Sequence, residues 1–336
     1  MKKFLLFLAI LILAAAGAAF YANREWRAVG SPVDGGTVEI PHGLGARGVV
    51  GLLEDKKVIS NRYAALAYIF YTGTRNKLQA GEYLFDRSMT IPEVIDKLAS
   101  GSVVLHKFTV PEGLTAEATA QKWEEQGFGT AADFLKAAAG AMEIVRKFDD
   151  KAVSAEGYLF PETYFLRSHT TARQAVEMMI ARFQQMAVRL QQELPADKWP
   201  LNMHDTVVLA SLVESEAAVS DERPTIASVY LNRLNIHMLL QCDPTVIYAL
   251  EQADRYGGKL TRADLQFQSP YNTYVNTGLP PGPIASPGYP SLLAAIQPAS
   301  TNYLFFVRTV ESRHRFSETF AAHNRAVAEY RKLKEE

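Results

Sequence analysis

The feature that most constrains the fold is a run of apolar residues that leaves no polar face for water. Between Val207 and Val213, six of the seven side chains are apolar, and Asp205 precedes them as a predicted helix N-cap. A helix that is apolar all round has to be buried on every side. The rest of the chain must therefore supply the elements that enclose this helix.

Two carboxylates, Glu214 and Glu216, follow the apolar run. A carboxyl group at the end of a buried helix is costly to ionise, so Glu214 could hold a proton near neutral pH, as a general acid requires. Positions two apart on a helix are separated by roughly 200°, so Glu216 should point the other way, toward solvent. The alternative interpretation is that Glu214 only marks the frayed end of a core helix.

Two further helices and a rigid loop are predicted downstream. The stretches 221–224 (DERP) and 243–244 (DP) each have the acidic residue and early proline of a helix start. Residues 269–288 are rich in Pro, Gly, Asn and Tyr, which is typical of a rigid surface loop. Amide, hydroxyl and aromatic groups on such a loop suit a sugar, because they can hydrogen-bond ring hydroxyls and stack on C–H faces.

Several longer blocks of sequence occur in order from about residue 38 to the C-terminus. They are EGYLFPETY (156–164), LASLVESEA (209–217), ERPTIASVYLNRL (222–234), QCDPTVIYAL (241–250), LTRADL (260–265), SPYNTY with GLPPGPIASPG (269–274 and 278–288), and HRFSETFAAHN (314–324). Together they closely resemble the endolytic murein transglycosylases of the MltG (YceG-like) family. Because several blocks of eight or more residues match in register, the resemblance is more specific than any single short motif.

The resemblance implies that Glu214 is the catalytic glutamate and Glu216 the family's second acidic residue. It implies endolytic cleavage of the β-1,4 bond between N-acetylmuramic acid and N-acetylglucosamine, leaving 1,6-anhydro ends and terminating the elongation of nascent strands. The residues expected to bind the sugar or to lie in or beside the cleft are Tyr271, Asn272, Tyr274, Arg233, Asp243, Glu216 and Glu162. For Glu162, which follows a proline in an aromatic context, a structural hydrogen-bonding role is the more common one.

Three residues depart from the family's usual sequence. Ser215 stands where lysine is common, and Ala217 where threonine is common. Neither change touches the general acid, but both leave the role of Glu216 open. Cys242 replaces the usual Ser or Thr before the DP stretch, and we expect it to be a buried thiol rather than a nucleophile.

Two other functions remain open from the sequence. In the transglycosylase, the C6 hydroxyl of the muramyl residue attacks C1 of its own ring, so a single glutamate suffices as acid and then as base. A hydrolytic muramidase would need a second carboxylate. The available partners are Glu216, Asp221, Glu222, Asp243 and Glu162. The third possibility is a membrane-tethered scaffold that binds peptidoglycan without cutting it.

The N-terminus predicts a membrane anchor. Lys2 and Lys3 precede an uncharged apolar run from Phe4 to Phe20, close to the ~20 residues that span a bilayer. We expect residues 1–25 to be an uncleaved single-pass anchor in the bacterial inner membrane, with the bulk of the chain in the periplasm. Cleavage at Ala16-Gly17-Ala18, as in a signal peptide, is the alternative.

The remaining chain predicts an α+β fold with two parts. Residues 38–46 and 108–116 share a P-x-G-L-x-A frame, which indicates a repeated strand-to-helix unit. We expect residues 35–110 to form a small α+β module, which the resemblance implies is LysM-like and binds glycan; a plain spacer is the alternative. Residues 111–336 would form a mainly helical catalytic domain with a short β-hairpin near residues 303–316.

Composition excludes several classes of partner and cofactor. A net charge of −1 offers no electrostatic attraction for nucleic acid. His314 and His323 have no Cys or acidic partner at ligand spacing, so we expect no metal and no other cofactor.

The resemblance implies peptidoglycan glycan strands as the substrate, the inner membrane as the support of the N-terminal helix, and peptidoglycan synthases as partners.

Overall fold

The computed structural model describes residues 2–309 and 313–335. Helices and short two-stranded sheets alternate along the chain, so the expected mixture of helices with small sheets is confirmed. The chain divides into two compact units. The first unit contains the residues up to Lys107 together with Phe165–His169, and the second contains Phe108–Tyr164 and the residues from Thr170 onward.

The first unit surrounds a small core with helices and one antiparallel strand pair. Its elements are α1 (Lys2–Arg27), β1 (Thr37–Ile40), α2 (Ala46–Asp55), α3 (Arg62–Thr72), β2 (Gly81–Leu84) and α4 (Ile91–Ser100). Strand β1 pairs with β2, with Thr37 opposite Leu84. Helix α4 begins with a capping box between Thr90 and Glu93, and it ends at Gly101, which has the left-handed conformation.

Helix α1 is long and apolar enough to cross a membrane. Its 26 residues have a mean hydropathy of 2.5 over the most apolar window, and none of its side chains is buried. A helix rises 1.5 Å per residue, so it exceeds the roughly 30 Å thickness of a bilayer core. A core helix of a soluble protein would instead be covered by its neighbours, which α1 is not along its apolar run.

The second unit is mainly helical. Its elements are β3 (His106–Thr109), α5 (Ala116–Glu125), α6 (Ala131–Gly140), α7 (Met142–Val145), β4 (Thr163–Leu166), α8 (Ala172–Glu193), α9 (Met203–Glu216), α10 (Arg223–Asn235), α11 (Asp243–Glu251), α12 (Tyr289–Ile296), β5 (Phe305–Arg308), β6 (His314–Ser317) and α13 (Phe320–Glu335). Strands β3 and β4 pair with each other, and the chain passes from one unit to the other within them.

The central helix of this unit is α9. Its six apolar side chains between Val207 and Val213 are fully buried, and α10, α11 and α12 pack against it, so the predicted enclosure is confirmed. The predicted cap was wrong. The N-cap is Asn202, whose side chain accepts a hydrogen bond from the backbone N–H of Asp205 at 3.1 Å, which places Asp205 in the first turn.

The predicted repeat and the predicted hairpin are confirmed. Each copy of the P-x-G-L-x-A frame joins a strand to a helix, β1 to α2 and β3 to α5. Thr130 caps α6, and Met179 and Phe183 on α8 belong to the core. Strands β5 and β6 form the expected antiparallel hairpin; its turn, residues 310–312, lies outside the described residues.

Candidate active site

Glu214 ends α9 with its carboxylate held by two partners. Its Oε1 accepts a hydrogen bond from Arg223 Nη2 at 3.0 Å, and its Oε2 accepts one from the backbone N–H of Gly288 at 2.9 Å. The side chain is only 6% exposed. An ion pair and a backbone N–H both stabilise the charged carboxylate. The surroundings therefore differ from the apolar pocket that the sequence predicted, which would have favoured the protonated acid.

All three nitrogens of the Arg223 guanidinium donate hydrogen bonds. It is the first residue of α10 and is buried, so the helix start predicted at residues 221–224 is what places it. Its Nε donates to Ser291 Oγ at 2.9 Å, and its Nη1 donates to Ser220 Oγ at 2.7 Å. These two contacts leave Nη2 directed at Glu214. Arg223 was not predicted as a site residue, because the stretch DERP was interpreted only as a helix start.

A second carboxyl group contacts the same guanidinium nitrogen. Glu112 Oε2 lies 3.6 Å from Arg223 Nη2, and the Glu112 side chain is 44% exposed. Partial burial, and next the nearby charge of Glu214, raise the pKa of Glu112, while Arg223 opposes the shift. The sequence analysis missed Glu112 because it lies in the repeated frame, where it was interpreted as part of a turn. A comparison of the two copies could have drawn attention to Glu112, because the other copy of the frame has a different residue, His42, at this position.

The Glu112 side chain occupies the space that a side chain at residue 288 would take. A Cβ at residue 288 would lie 1.9 Å from Glu112 Oε1, far inside contact distance. The loop that carries Gly288 is tied to the turn that carries Glu112 by two backbone hydrogen bonds. Gly113 N donates to Ser286 O at 2.9 Å, and Ser286 N donates to Leu114 O at 2.8 Å. Both carboxylates thus lie where this turn, this loop and the adjoining ends of α9 and α10 meet.

Glu216 does not point to solvent as predicted. Its carboxylate turns inward and accepts a hydrogen bond from Tyr230 Oη at 3.2 Å, and burial raises its pKa. Its neighbour Cys242 is fully buried, and burial raises the pKa of that thiol too, so the predicted buried thiol is confirmed. Glu214 and Glu216 have different partners, which agrees with their predicted separation around the helix.

Asn272 lies inside its loop rather than on the surface. It is fully buried, and its Nδ2 donates to Leu265 O at 3.2 Å and to Phe267 O at 2.8 Å. Its Oδ1 accepts from the backbone N–H of Tyr274 at 2.8 Å. The whole amide is used to hold the loop's own backbone, so the expected sugar contact through this side chain does not fit the structure.

The two tyrosines of the loop are only partly covered. The Tyr274 hydroxyl donates a hydrogen bond to Asp243 Oδ1 in the first turn of α11. The Tyr271 ring packs on Tyr248, with the ring centroids 4.9 Å apart. Both side chains are half-buried, so part of each tyrosine remains accessible. Among the contacts of the described residues, none joins these side chains to Glu214.

Arg233 and Glu162 have structural partners. Arg233 is buried and donates to the backbone oxygens Leu304 O at 2.6 Å and Leu240 O at 2.7 Å, which places the β-hairpin on α10. Glu162 pairs with Arg182 of α8, with Nη2 to Oε1 at 3.1 Å. Neither contacts Glu214 within the described part of the chain. Residues 2–309 and 313–335 also contain no cluster of three or more His, Cys, Asp or Glu that could hold a metal ion.

Glu156, in the first of the matching blocks, is a buried carboxyl group. It is 4% exposed, and both of its oxygens lie 3.0 Å from the single backbone N–H of Ala116 at the start of α5. Burial raises its pKa to about 7, although the backbone hydrogen bonds of Ala116 and Gly157 oppose the shift. Glu156 is therefore protonated in the folded protein at mildly acidic pH.

The raised pKa of Glu156 makes stability depend on pH. The contribution of this group is fully present below its unfolded pKa of 4.5 and is lost as the pH rises through about 7. We expect the free energy of unfolding to fall by roughly 2 kcal/mol between pH 5 and pH 8 because of Glu156. Urea denaturation at several pH values should show that Glu156→Gln removes this slope. The matched change Glu117→Gln, on the exposed side of the same helix start, should leave it; equal slopes in all three proteins would contradict the assignment.

Comparison with known proteins gives one consistent result. The model of the YceG-like family matches residues 38–329. An endolytic murein transglycosylase of Bacillus subtilis is 33% identical over 320 residues, which cover 89% of this chain and 86% of the relative. One of Streptococcus pneumoniae is 29% identical over 88% of this chain, which spans only 58% of that longer relative. The 2.6 Å crystal structure of a putative YceG-like protein from Listeria monocytogenes is 33% identical, with a TM-score of 0.59, and the match covers 86% of this chain and 98% of that one.

Proposed function

The chain belongs to the YceG-like family, and on that premise we propose that it is an endolytic murein transglycosylase that cleaves the glycan strands of peptidoglycan. The observation that carries the proposal is the carboxylate of Glu214, held by Arg223 and Gly288 beside a second carboxyl group, Glu112. The two carboxyl groups lie where two helix ends and two loops meet. Such a pair provides a carboxyl group, Glu214, that can both give and take a proton.

We assign the proton transfers to Glu214. As an acid it protonates the leaving glycosidic oxygen. As a carboxylate it then removes the proton from the C6 hydroxyl of the muramyl residue while that oxygen attacks C1 of the same ring. The product is a 1,6-anhydro end. Because the nucleophile belongs to the substrate, the reaction needs no carboxylate to activate a water molecule.

The proton that Glu214 needs has a source in Glu112. Burial, and next the nearby charge of Glu214, raise the pKa of Glu112, so Glu112 keeps its proton to a higher pH than an isolated carboxyl group does. If both groups were ionised, their two negative charges would face the single positive charge of Arg223. A proton on Glu112 removes that excess. In the proposed reaction, Glu112 passes this proton to Glu214 when substrate binds.

Hydrolysis by an activated water is the second candidate, and Glu112 is the observation that favours it. A muramidase needs a second carboxylate near the first. Among the described residues, none of the partners considered from the sequence forms a hydrogen bond or ion pair with Glu214 or with the Arg223 guanidinium; Asp221 pairs with Arg313, and Glu222 accepts a hydrogen bond from the backbone N–H of His314 at 3.0 Å. Mass spectrometry of purified un-crosslinked glycan after digestion separates the two reactions. Anhydro ends support the transglycosylase, and reducing ends alone would establish hydrolysis.

Glu112→Gln should lower kcat by up to about 10²-fold, the smaller end of the range for positioned acid–base groups. The amide keeps the size of the side chain but cannot supply a proton, so the pH–rate profile should also lose the contribution of the raised Glu112 pKa. The control is Glu117→Gln, an exposed carboxylate five residues away. Unchanged kcat and an unchanged pH profile in Glu112→Gln would contradict the role of Glu112 as proton source.

We also propose a location for the protein. Helix α1 would anchor it as a single-pass protein in the inner membrane, with residues 35–110 and 111–336 in the periplasm. The first unit would act as a LysM-like glycan-binding module, and peptidoglycan synthases would supply the strands to be cut. The length and apolar surface of α1 support the anchor. A non-catalytic scaffold would bind sacculi and release no fragments in the digestion described above.

A further inference from the structure

Helix α3 has an aromatic face that the first unit leaves uncovered. The side chains of Tyr63, Phe70 and Tyr71 are 77%, 61% and 78% exposed, and Ala67 is exposed between them. Spacings of four, seven and eight residues place all four on one side of the helix. The opposite side is buried in the core, so α3 is apolar all round. A contiguous exposed apolar face of this kind marks a surface that meets another apolar phase.

The end of α1 is fixed to this helix. The indole N–H of Trp26 donates to Ala64 O at 2.9 Å, and its ring centroid lies 5.2 Å from that of Tyr68 and 5.4 Å from that of Tyr71. Next to it, Asn61 Nδ2 donates to Glu25 Oε2 at 3.1 Å. Tyr71 therefore belongs both to the exposed aromatic face and to the surface of α3 on which the end of α1 packs.

These contacts set the level of α3 relative to a membrane. The apolar run of α1 begins at Phe4, and about 20 helical residues span the hydrocarbon core. The span therefore ends near Arg24, and Trp26 lies about 3 Å beyond it at 1.5 Å per residue. That is the level of the lipid headgroups, where Trp and Tyr are enriched because their rings are apolar and their N–H or O–H is polar. Tyr71, in contact with Trp26, lies at the same level.

Positive charges accompany the aromatic face. The Arg75 guanidinium lies 5.8 Å from the centre of the Phe70 ring. Arg47 and Arg75 line a shallow cavity of about 400 Å³ beside Leu66 and Phe70. Arginine near an apolar surface is suited to phosphate groups of lipids, which it can bind through two N–H groups while its stem stays on the apolar side.

We propose that the aromatic face of α3 (Tyr63, Ala67, Phe70 and Tyr71) lies in the headgroup region of the membrane that α1 crosses. This rests on the anchor role of α1 proposed above. The first unit is then seated on the bilayer surface by two contacts, α1 and α3, instead of moving freely on a tether. In this position the first unit lies nearer to glycan at the membrane surface than to glycan farther away.

A spin-label experiment on the full chain tests this. Ala67→Cys is labelled with a nitroxide in liposomes of phosphatidylethanolamine and phosphatidylglycerol; the native Cys242 is fully buried and should not react. Collisions with oxygen, which dissolves in lipid, are compared with collisions with a water-soluble nickel complex. We expect several-fold fewer nickel collisions than for the same label at the exposed Lys136 of α6. Equal nickel accessibility at the two positions would overturn the proposal.

A second variant controls for the label. Tyr63→Ser with Phe70→Ser removes two side chains of the aromatic face without touching Tyr71, which packs on Trp26. In the Ala67→Cys background it should raise the nickel accessibility toward that of Lys136.

Two further readouts separate the α3 contact from the anchor and from the enzymatic function. Release of the chain by carbonate washing would overturn the anchor and the α3 contact together, whereas loss of glycan cleavage in detergent would bear only on the enzymatic function.

Discussion

Replacing Glu214 by Gln should lower the turnover of glycan strands by about 10²–10⁴-fold, the range for removing a positioned acid–base group. The amide cannot transfer the proton, and one group serves both steps of the proposed reaction. The fold should survive at reduced stability. If the amide oxygen faces Arg223, the amide N–H₂ meets the N–H of Gly288, which loses its acceptor. An unsatisfied buried donor costs about 1–3 kcal/mol.

The matched control is Glu216→Gln. It makes the same chemical change two residues along α9, and the amide oxygen can still accept the hydrogen bond of Tyr230. We expect turnover to stay near that of the unmodified protein. Both variants should be compared by the release of anhydro-muropeptides at equal folded concentration. An inactive Glu216→Gln enzyme beside an active Glu214→Gln enzyme would show that the catalytic carboxylate has been assigned wrongly.

Arg223→Met should destabilise the second unit by about 3–5 kcal/mol, as expected when one partner of a buried ion pair is removed. Methionine leaves Glu214 charged, buried and without its cation. It also removes the donors to Ser291 and Ser220, which hold the starts of α12 and α10 together. Urea denaturation of the full chain, monitored on the second unit, measures the loss.

A double variant tests whether the loss comes from the ion pair. In Arg223→Met with Glu214→Gln, the uncompensated buried charge is gone, so the destabilisation should be clearly smaller than the sum of the two single changes. A double-mutant cycle expresses this as a coupling energy, which for residues in direct contact is typically 0.5–3 kcal/mol. Strict additivity would mean that Arg223 stabilises the fold only through its two serines.

Several elements of the fold could be predicted because their signals are local. Six apolar residues in seven required that α9 be enclosed, whatever encloses it. Thr90, Thr130 and Thr171 each cap a helix through a bond to a backbone N–H three residues ahead. The length of α1 and the apolar run that forms β5 are equally properties of one short stretch. In each case the deciding interaction lies within the segment or depends only on burial.

The chemistry of the candidate site depends on partners that are far apart in sequence. Glu214 receives its hydrogen bonds from Arg223 and from Gly288, 74 residues away, and its neighbour Glu112 comes from a turn near the start of the unit. From the local pattern, Glu214 was expected in an apolar pocket, Glu216 at the surface and Asn272 on a sugar-binding edge. The structure pairs Glu214 with a cation and buries the other two in hydrogen bonds.

The sequence by itself thus determined that α9, α10 and α11 are helices, that α9 is enclosed, and which glutamate lies at the end of the enclosed helix. Only the tertiary structure decided the charge that faces Glu214, the carboxyl group that lies beside it and the direction in which Glu216 points. The physical reason is the distance along the chain over which each interaction acts. Helix caps and apolar periodicity act over a few residues along the chain, whereas the electrostatic surroundings of a carboxylate are set by whatever the fold brings within a few ångströms of it.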